Sequence, residues 1–494
     1  MKHIFKDGIF VECLKKEYWL EFKEIDEGWE ITSSEEIINN IKKIERNNYE
    51  INYIDGISVF KNLEVLDLSS NKIKKLPKEI GKLKKLKKIN LNNNHIKGLP
   101  KEIWNLTNLE ELGLSNNNIR KLPKEIWNLK KLKFLNLSKN KLKELPKEIE
   151  KLEKIKWLDF SENQLQYLPK EIWNLKNLEY LKLDWNSIKK LPKEIWNLTK
   201  LKKLGLRENQ LQELPKEIWN LEKLEKLDLS DNQIKRLPKE IWNLTKLEVL
   251  GLWLNQLQEL PKEIWKLKNL KKLGLWWNKI KELPKAIWKL ENLEELYLKQ
   301  NQIKELPKEI WNLKKLKVLD LRYNQLQELP KEIWNLENLK ILHLYYNQLQ
   351  ELPKEIWNLT KLEVLDLWHN QLQNLPKEIW NLKNLRQLNL SDNQIKELPK
   401  EIWKLENLKY LYLTWNQLQG LPKEILNLKD LEKLDLENAF DLDNLKQDPK
   451  ELLDILKQLE EKLYYSSSEY ICDSNLEYLE EVVYPFLEKE IKKE

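Results

Sequence analysis

From Leu63 onward the chain alternates apolar and polar positions in short bursts. Leu66 and Leu68 are interleaved with Val65, Asp67 and Ser69. Such period-two alternation predicts a strand with the leucines pointing inward and Val65, Asp67 and Ser69 outward. A different spacing follows. Ile80, Leu83 and Leu86 recur every three residues, which predicts a short helical or 3-10 piece with one buried stripe. Pro77 opens that piece, because its fixed φ and missing N–H suit a first turn. The cycle then repeats. Leu-Pro-Lys occurs sixteen times at a spacing of 23 residues from Leu76 to Leu421, and sixteen asparagines keep step from Asn71 to Asn416. The strand segments between Leu63 and Leu436 are expected to form one parallel sheet, with the remaining residues of each unit as the crossovers that parallel strands require.

The motif L-P-x-x-I-x-x-L-x-x-L-x-x-L-x-L-x-x-N, as in Leu329 to Glu351, resembles the 23-residue class of leucine-rich repeat found in bacterial and plant intracellular repeat proteins. The resemblance implies an α/β fold, a right-handed solenoid or horseshoe. Its parallel β-sheet would line the concave face and short helical or 3-10 segments the convex face, with both ends capped. It also implies that the repeated asparagines bond the backbone of neighbouring turns. It implies no activity, since such folds are scaffolds that carry grafted sites. The expected organisation is an N-terminal cap over 1–60, a repeat array over 61–439 and a helical C-terminal cap over 440–494.

The flanks fit that organisation. Ser33 and Glu36 have capping-box spacing ahead of Ile37, Ile38, Ile41 and Ile44, which predicts a short amphipathic helix. Ala439 stands where the next asparagine would fall, so the array is expected to end there. Asp448 and Pro449 then open a helix with Leu452, Leu453, Leu456, Leu459 and Leu463 on one face, and Pro485 interrupts a second helical stretch. Terminal units of a solenoid must cover an otherwise exposed core, and these segments supply the cover.

Composition narrows the class. Charged residues make up 34% of the chain and hydrophobic ones 41%, too polar for a membrane protein and too apolar for disorder. The net charge of +7 comes from 87 basic and 80 acidic residues. Both signs are interspersed, which describes a solvated surface without a nucleic-acid stripe. Cys13 and Cys472 are the only cysteines, so there is no disulfide framework. The N-terminus lacks the apolar core of a signal peptide, and no window reaches a transmembrane span. The expectation is a cytoplasmic monomer with no membrane or nucleic-acid partner. Cys472 with Asp473 invites comparison with cysteine ubiquitin ligases attached to bacterial repeat proteins, but too few residues follow the array to supply their separate catalytic domain.

No phosphate loop, zinc signature or nucleophile motif is present. The expectation is therefore a non-enzyme with no catalytic, cofactor-binding or metal-binding residues and no cofactor. The informative positions are those that vary against the constant frame. Residues 23 apart become lateral neighbours on the strand face, which reads as four rows. Early repeats carry small or charged residues such as Ser69, Asn92 and Ser115. From the ninth repeat the rows change. They carry Trp253, Trp276, Arg322, Tyr345 and Trp368; then Trp277, Tyr323, Tyr346 and His369; then Tyr297 and His343; then Val318 and Ile341. Large aromatic and aliphatic groups on an outward face indicate a partner site. These residues are the expected binding surface of a protein-interaction scaffold. The alternative is a glycan or small-ligand module that stacks its ligand on the same aromatics, with Gly251 and Gly274 leaving room beside Trp276 and Trp277.

Two further readings remain open. Asp320, His343 and Asp366 occupy one position in three successive repeats. An imidazole between two carboxylates would have a raised pKa and would make binding pH-sensitive; a structurally idle charged row is the plain alternative, and a metal site the sharper one. Separately, tryptophan follows the isoleucine of L-P-K-E-I thirteen times from Trp104 to Trp403, where the resembled family often has glycine, as at Gly81. The structural reading is an indole ladder packed on neighbouring repeats and lysine stems. The functional reading is a long aromatic flank that binds a partner.

Overall fold

The computed structural model describes residues 3–466 and 473–493. Cys472 lies outside the described residues. The chain divides into two compact units, Met1–Val249 and Leu250–Glu494.

The first unit begins with a small layer that packs on its own helix. Strands β1 (Ile4–Phe5), β2 (Phe22–Ile25) and β3 (Gly28–Ile31) form an antiparallel sheet in the order β1-β3-β2. Helix α1 (Gly8–Tyr18) starts at Asp7, whose carboxylate accepts from Phe10 N at 2.9 Å. That is an ordinary N-cap. The other Asp7 oxygen accepts from Asn52 N and Tyr53 N. Helix α2 (Glu35–Asn40) is the amphipathic helix expected from the capping box, with the cap shifted by one residue. Ser34 caps Ile37 N, because Ser33 Oγ already accepts from Glu21 N at 2.7 Å.

The strand Lys43–Glu45 opens the parallel sheet by pairing with Val65–Asp67, inside the stretch expected as a cap. Within this unit the sheet continues in register, one strand per repeat, to Lys226–Asp228. The second unit repeats the same ladder from Lys272–Gly274 to Lys433–Asp435. The first crossover carries a three-residue 3-10 turn, Ile57–Val59; each Leu-Pro-Lys crossover after it carries a five-residue 3-10 turn beginning after the proline. In the first of them Ile80 N donates to Pro77 O and Leu83 N to Ile80 O, both at 3.1 Å. The leucines and isoleucines of both patterns are buried, Leu319 and Leu321 among them. The fold is thus the expected α/β repeat solenoid.

The asparagines form the ladder that the resemblance implied. Asn209 Nδ2 donates to the carbonyls of Leu183, Leu206 and Arg207 at 3.0, 3.1 and 3.2 Å, and its Oδ1 accepts from Ile188 N at 2.9 Å. One buried amide thereby satisfies backbone groups in two neighbouring turns, so its own burial carries no unpaired polar atom. At the array's end Asn475 bonds the edge of the last strand, accepting from Leu436 N at 2.8 Å and donating to Leu434 O. It lies in α4 (Asp473–Tyr478), which with α3 (Pro449–Ser466) and α5 (Tyr484–Ile491) closes the second unit.

The residue before each asparagine is left-handed in every repeat. From Ser70 to Asn438 its φ lies between 50° and 57°. None of these residues is β-branched, as expected where Cβ crowds the backbone.

The crossover face differs from the indole ladder expected of it. Trp104, Trp173, Trp219, Trp288, Trp334 and Trp380 are fully buried, whereas Trp196, Trp311 and Trp403 stand 47%, 39% and 43% exposed. No ring contact joins the described indoles of this row to one another. The 3-10 turns approach each other in pairs instead. Lys193–Asn197 packs closely on Lys216–Asn220 in the first unit, and Lys308–Asn312 on Lys331–Asn335 in the second. In each such pair the second indole is buried and the first stays at the surface.

Candidate functional site

The register places the variable residues as the 23-residue spacing predicts. Val318 pairs with Ile341 and Ile341 with Val364; Asp320 lies beside His343 and His343 beside Asp366. All thirteen predicted residues sit on the outward side of the strand face and none is fully buried.

The structure gathers them into two islands. In one, the rings of Trp253 and Trp276 lie 4.9 Å apart, with Trp277 beside them 46% exposed. A Cβ at Gly274 would meet both Trp253 and Trp276 at 3.7 Å, an ordinary contact, so glycine there leaves a shallow floor and is not sterically required. The other island is an interlocked set. Tyr323 stacks on Tyr346 at 4.4 Å and 10°, and Tyr346 stacks on His369 at 4.0 Å. Tyr345 and Trp368 meet at 5.5 Å, and Trp368 lies edge-on to Tyr346 at 4.8 Å. His369 Nδ1 bonds the carboxylate of Asp392. Between the islands Tyr297 is tied down, donating its hydroxyl to Glu295 at 2.8 Å under Lys272. Burial pushes the Tyr297 hydroxyl above its ordinary pKa, and the bond to Glu295 adds to this.

Arg322 is held before any partner arrives. Its Nε and Nη2 reach Asp320 at 2.6 and 2.5 Å, its Nη1 donates to Tyr345 Oη at 3.0 Å, and its guanidinium covers the Tyr345 ring at 5.1 Å. Asp320 is only 1% exposed, and a buried carboxylate needs such a bidentate partner. This corrects the expectation for His343. Asp320 is occupied by Arg322 on its own strand, and the one carboxylate in ion-pair reach of His343 Nδ1 is Asp366, at 3.7 Å. The doubly flanked imidazole expected there is not formed. Among the described residues no group of three or more His, Cys, Asp or Glu is placed to hold a metal ion.

The first unit carries aromatics that the row reading passed over. Phe134, Trp157 and Tyr180 form a continuous stack, at 5.7 and 4.7 Å, with Lys182 over Trp157 and Lys203 over Tyr180. Trp185 is 47% exposed beneath the guanidinium of Arg207. The signal was available: Phe134, Trp157 and Tyr180 are spaced by 23 residues in the row that later holds Val318 and Ile341. Trp415, 60% exposed, was missed in the second unit.

Near Trp185, Asp184 is pushed up to about 6, chiefly by burial and further by the charges of Asp228 and Asp159, against a bond from Arg207 N at 2.9 Å. The folded state therefore binds a proton more tightly than the unfolded chain. Asp184 costs stability above its folded pKa, and the cost vanishes below the ordinary carboxylate range. Asp184→Asn should stabilise the protein by about 1–2 kcal/mol at pH 8 and leave it unchanged at pH 3.5. Paired thermal melts at the two pH values check this; equal shifts at both would mean the carboxylate is not strained by burial.

The profile described as a leucine-rich repeat region matches seven overlapping segments, from residues 42–135 to 354–483. The chain belongs to the leucine-rich repeat family. A leucine-rich repeat protein of Leptospira interrogans is 40% identical, with 86% of this chain and 95% of that one covered and a TM-score of 0.62. A plant peptide hormone receptor, RGFR1, solved in complex with RGF2, is 30% identical over 84% and 70% of the chains, with a TM-score of 0.64. A TDR receptor is 27% identical over 78% and 70%, with a TM-score of 0.68. No curated protein matches the chain. No helix among the described residues is long and apolar enough to cross a membrane.

Proposed function

We propose that this leucine-rich repeat chain is a non-catalytic scaffold. It binds a partner protein through the strand face of the second unit, centred on Arg322, Tyr323, Tyr345, Tyr346, Trp368 and His369. The observation that carries the reading is an interlocked aromatic cluster on the outward strand face, where Tyr323, Tyr346, Trp368 and His369 pack ring on ring beside Arg322. Folding asks for no aromatic at the left-handed positions of Tyr323, Tyr346 and His369, since Ser70, Lys139 and Glu208 fill the same positions in sister repeats. Large aromatic groups gathered on an outward face point to a partner. Preorganisation supports it as well. Arg322 and the interlocked rings have little rotamer freedom left to lose on binding. Peptide binding by the RGFR1 relative fits the same reading.

The glycan alternative is weaker. Sugar stacking needs free ring faces, and the faces of Tyr323, Tyr346 and His369 are turned to one another. The Trp253–Trp276 island is where that reading would survive. We also keep the cytoplasmic reading, which rests on the paucity of cysteine and on Cys13 as a buried free thiol.

A quantitative pull-down tests the proposal. Tyr346→Ala with Trp368→Ala should reduce partner recovery about 100-fold, as loss of two aromatic anchors does, with an unchanged circular dichroism spectrum. Full recovery by this variant would place the hot spot elsewhere. Binding to a glycan array that disappears in Trp276→Ala would favour the alternative.

A further inference from the structure

The crossover face of the second unit holds a groove of about 750 Å3. Its walls include Trp265, Trp288 and Trp311, with Lys268, Lys289, Lys314 and Lys315 against a single carboxylate, Glu291. It arises from the pairing of 3-10 turns. Trp288 is the buried second indole of its pair, and Trp311 begins the next pair, 39% exposed.

The sequence departs from its own frame at this place. Fifteen of the sixteen crossovers read Lys-Glu-Ile; the exception is Lys285-Ala286-Ile287. The residue after tryptophan is asparagine in ten of thirteen cases, and Lys266 and Lys289 are two of the three exceptions. So two adjacent repeats gain two positive charges and lose one negative charge relative to their sisters. The ammonium of Lys289, in the groove wall, lies over the Trp265 ring at 5.6 Å and that of Lys314 over Trp311 at 5.6 Å, while Lys266, outside the wall, reaches the same Trp265 ring at 5.9 Å. Folding does not require this, since the other crossovers form the same turn with Glu and Asn. Like charges gathered beside apolar rings are relieved by an anionic group that also carries apolar surface.

We infer that this groove is a second binding surface, separate from the strand face, and that its occupant is an acidic peptide segment of a partner protein. Carboxylates would meet Lys289, Lys314 and Lys315, and an apolar side chain would lie against Trp311.

The probe is a fluorescein-labelled hexapeptide of alternating glutamate and leucine, titrated by fluorescence polarisation against the full chain. The same peptide with lysine for glutamate serves as control. The decisive variant restores the frame: Lys266→Asn, Ala286→Glu and Lys289→Asn together. It uses only residues that sister repeats already carry, so it should fold, as circular dichroism would show. Affinity for the acidic peptide should fall at least about ten-fold in this variant, as expected when several charge contacts are lost. It should weaken with added salt and remain unchanged in Trp368→Ala. Equal affinity in the frame-restored variant overturns the inference. So does equal binding of the lysine control. Binding to phosphatidylserine vesicles with none to the peptide also overturns it, and makes the groove a membrane contact.

Discussion

Trp334→Ala should cost about 3–5 kcal/mol, while Trp311→Ala, one repeat earlier in the same local sequence, should cost about 1–2 kcal/mol. Both tryptophans stand in Lys-Glu-Ile-Trp-Asn-Leu. Their surroundings differ because the crossovers pair. Trp334 is fully buried and Trp311 is 39% exposed. Removing a buried indole leaves a cavity; removing a surface one leaves solvent. A third variant separates packing from hydrogen bonding. The Trp334 indole N–H has no acceptor among the described residues. Trp334→Phe should therefore lose far less than Trp334→Ala, since it deletes a polar group that burial left unpaired. Urea melts of the three variants check the set. Equal losses at Trp311 and Trp334 would mean the crossovers do not pair in solution.

That contrast also marks how far the sequence could be read. A period of 23 is legible because every unit meets the same neighbours, and the strands, the prolines and Asn209 follow from it. Pairing doubles the period of the crossover face from Trp288 through Trp334 to Trp380, whereas Trp104 and Trp173 are three repeats apart. Which tryptophan goes inside depends on what the adjacent turn does, so identical residues separate and no local pattern records it. The left-handed row had a local record that went unread, the absence of Val, Ile and Thr from Ser70 to Asn438. At the partner face, spacing predicted correctly that His343 lies beside Asp320 and Asp366. It did not predict contact, because Arg322 reaches Asp320 from two positions along the same strand. Helix α1 was hidden for another reason. Phe10, Val11, Cys13 and Leu14 are buried in it, but lysines and glutamates interleave them, and Asp7 was not recognised as a cap.

Asn209→Ala should destabilise the protein by about 3 kcal/mol, at the upper end of what a single unsatisfied buried group costs. The alanine removes four hydrogen bonds at once. Ile188 N–H, in a buried contact, loses its only side-chain acceptor, although carbonyls such as Leu206 O can tolerate one missing partner better than a donor can. The effect should also be local in position and general in kind. Asn117 and Asn324 make the same contacts with their own neighbours, so Asn117→Ala and Asn324→Ala should cost similar amounts. Asn209→Asp is the sharper test. An aspartate keeps the acceptor for Ile188 N–H but turns the donor that served Leu183 O and Leu206 O into a second acceptor facing carbonyl oxygens. It also places a charge where only 8% of the residue is exposed. Its loss should exceed that of alanine at pH 7 and shrink toward it as the pH falls and the carboxyl is protonated. Chemical denaturation at pH 7 and pH 4 measures both. If aspartate were tolerated as well as asparagine, the amide would not be the donor that holds neighbouring turns together.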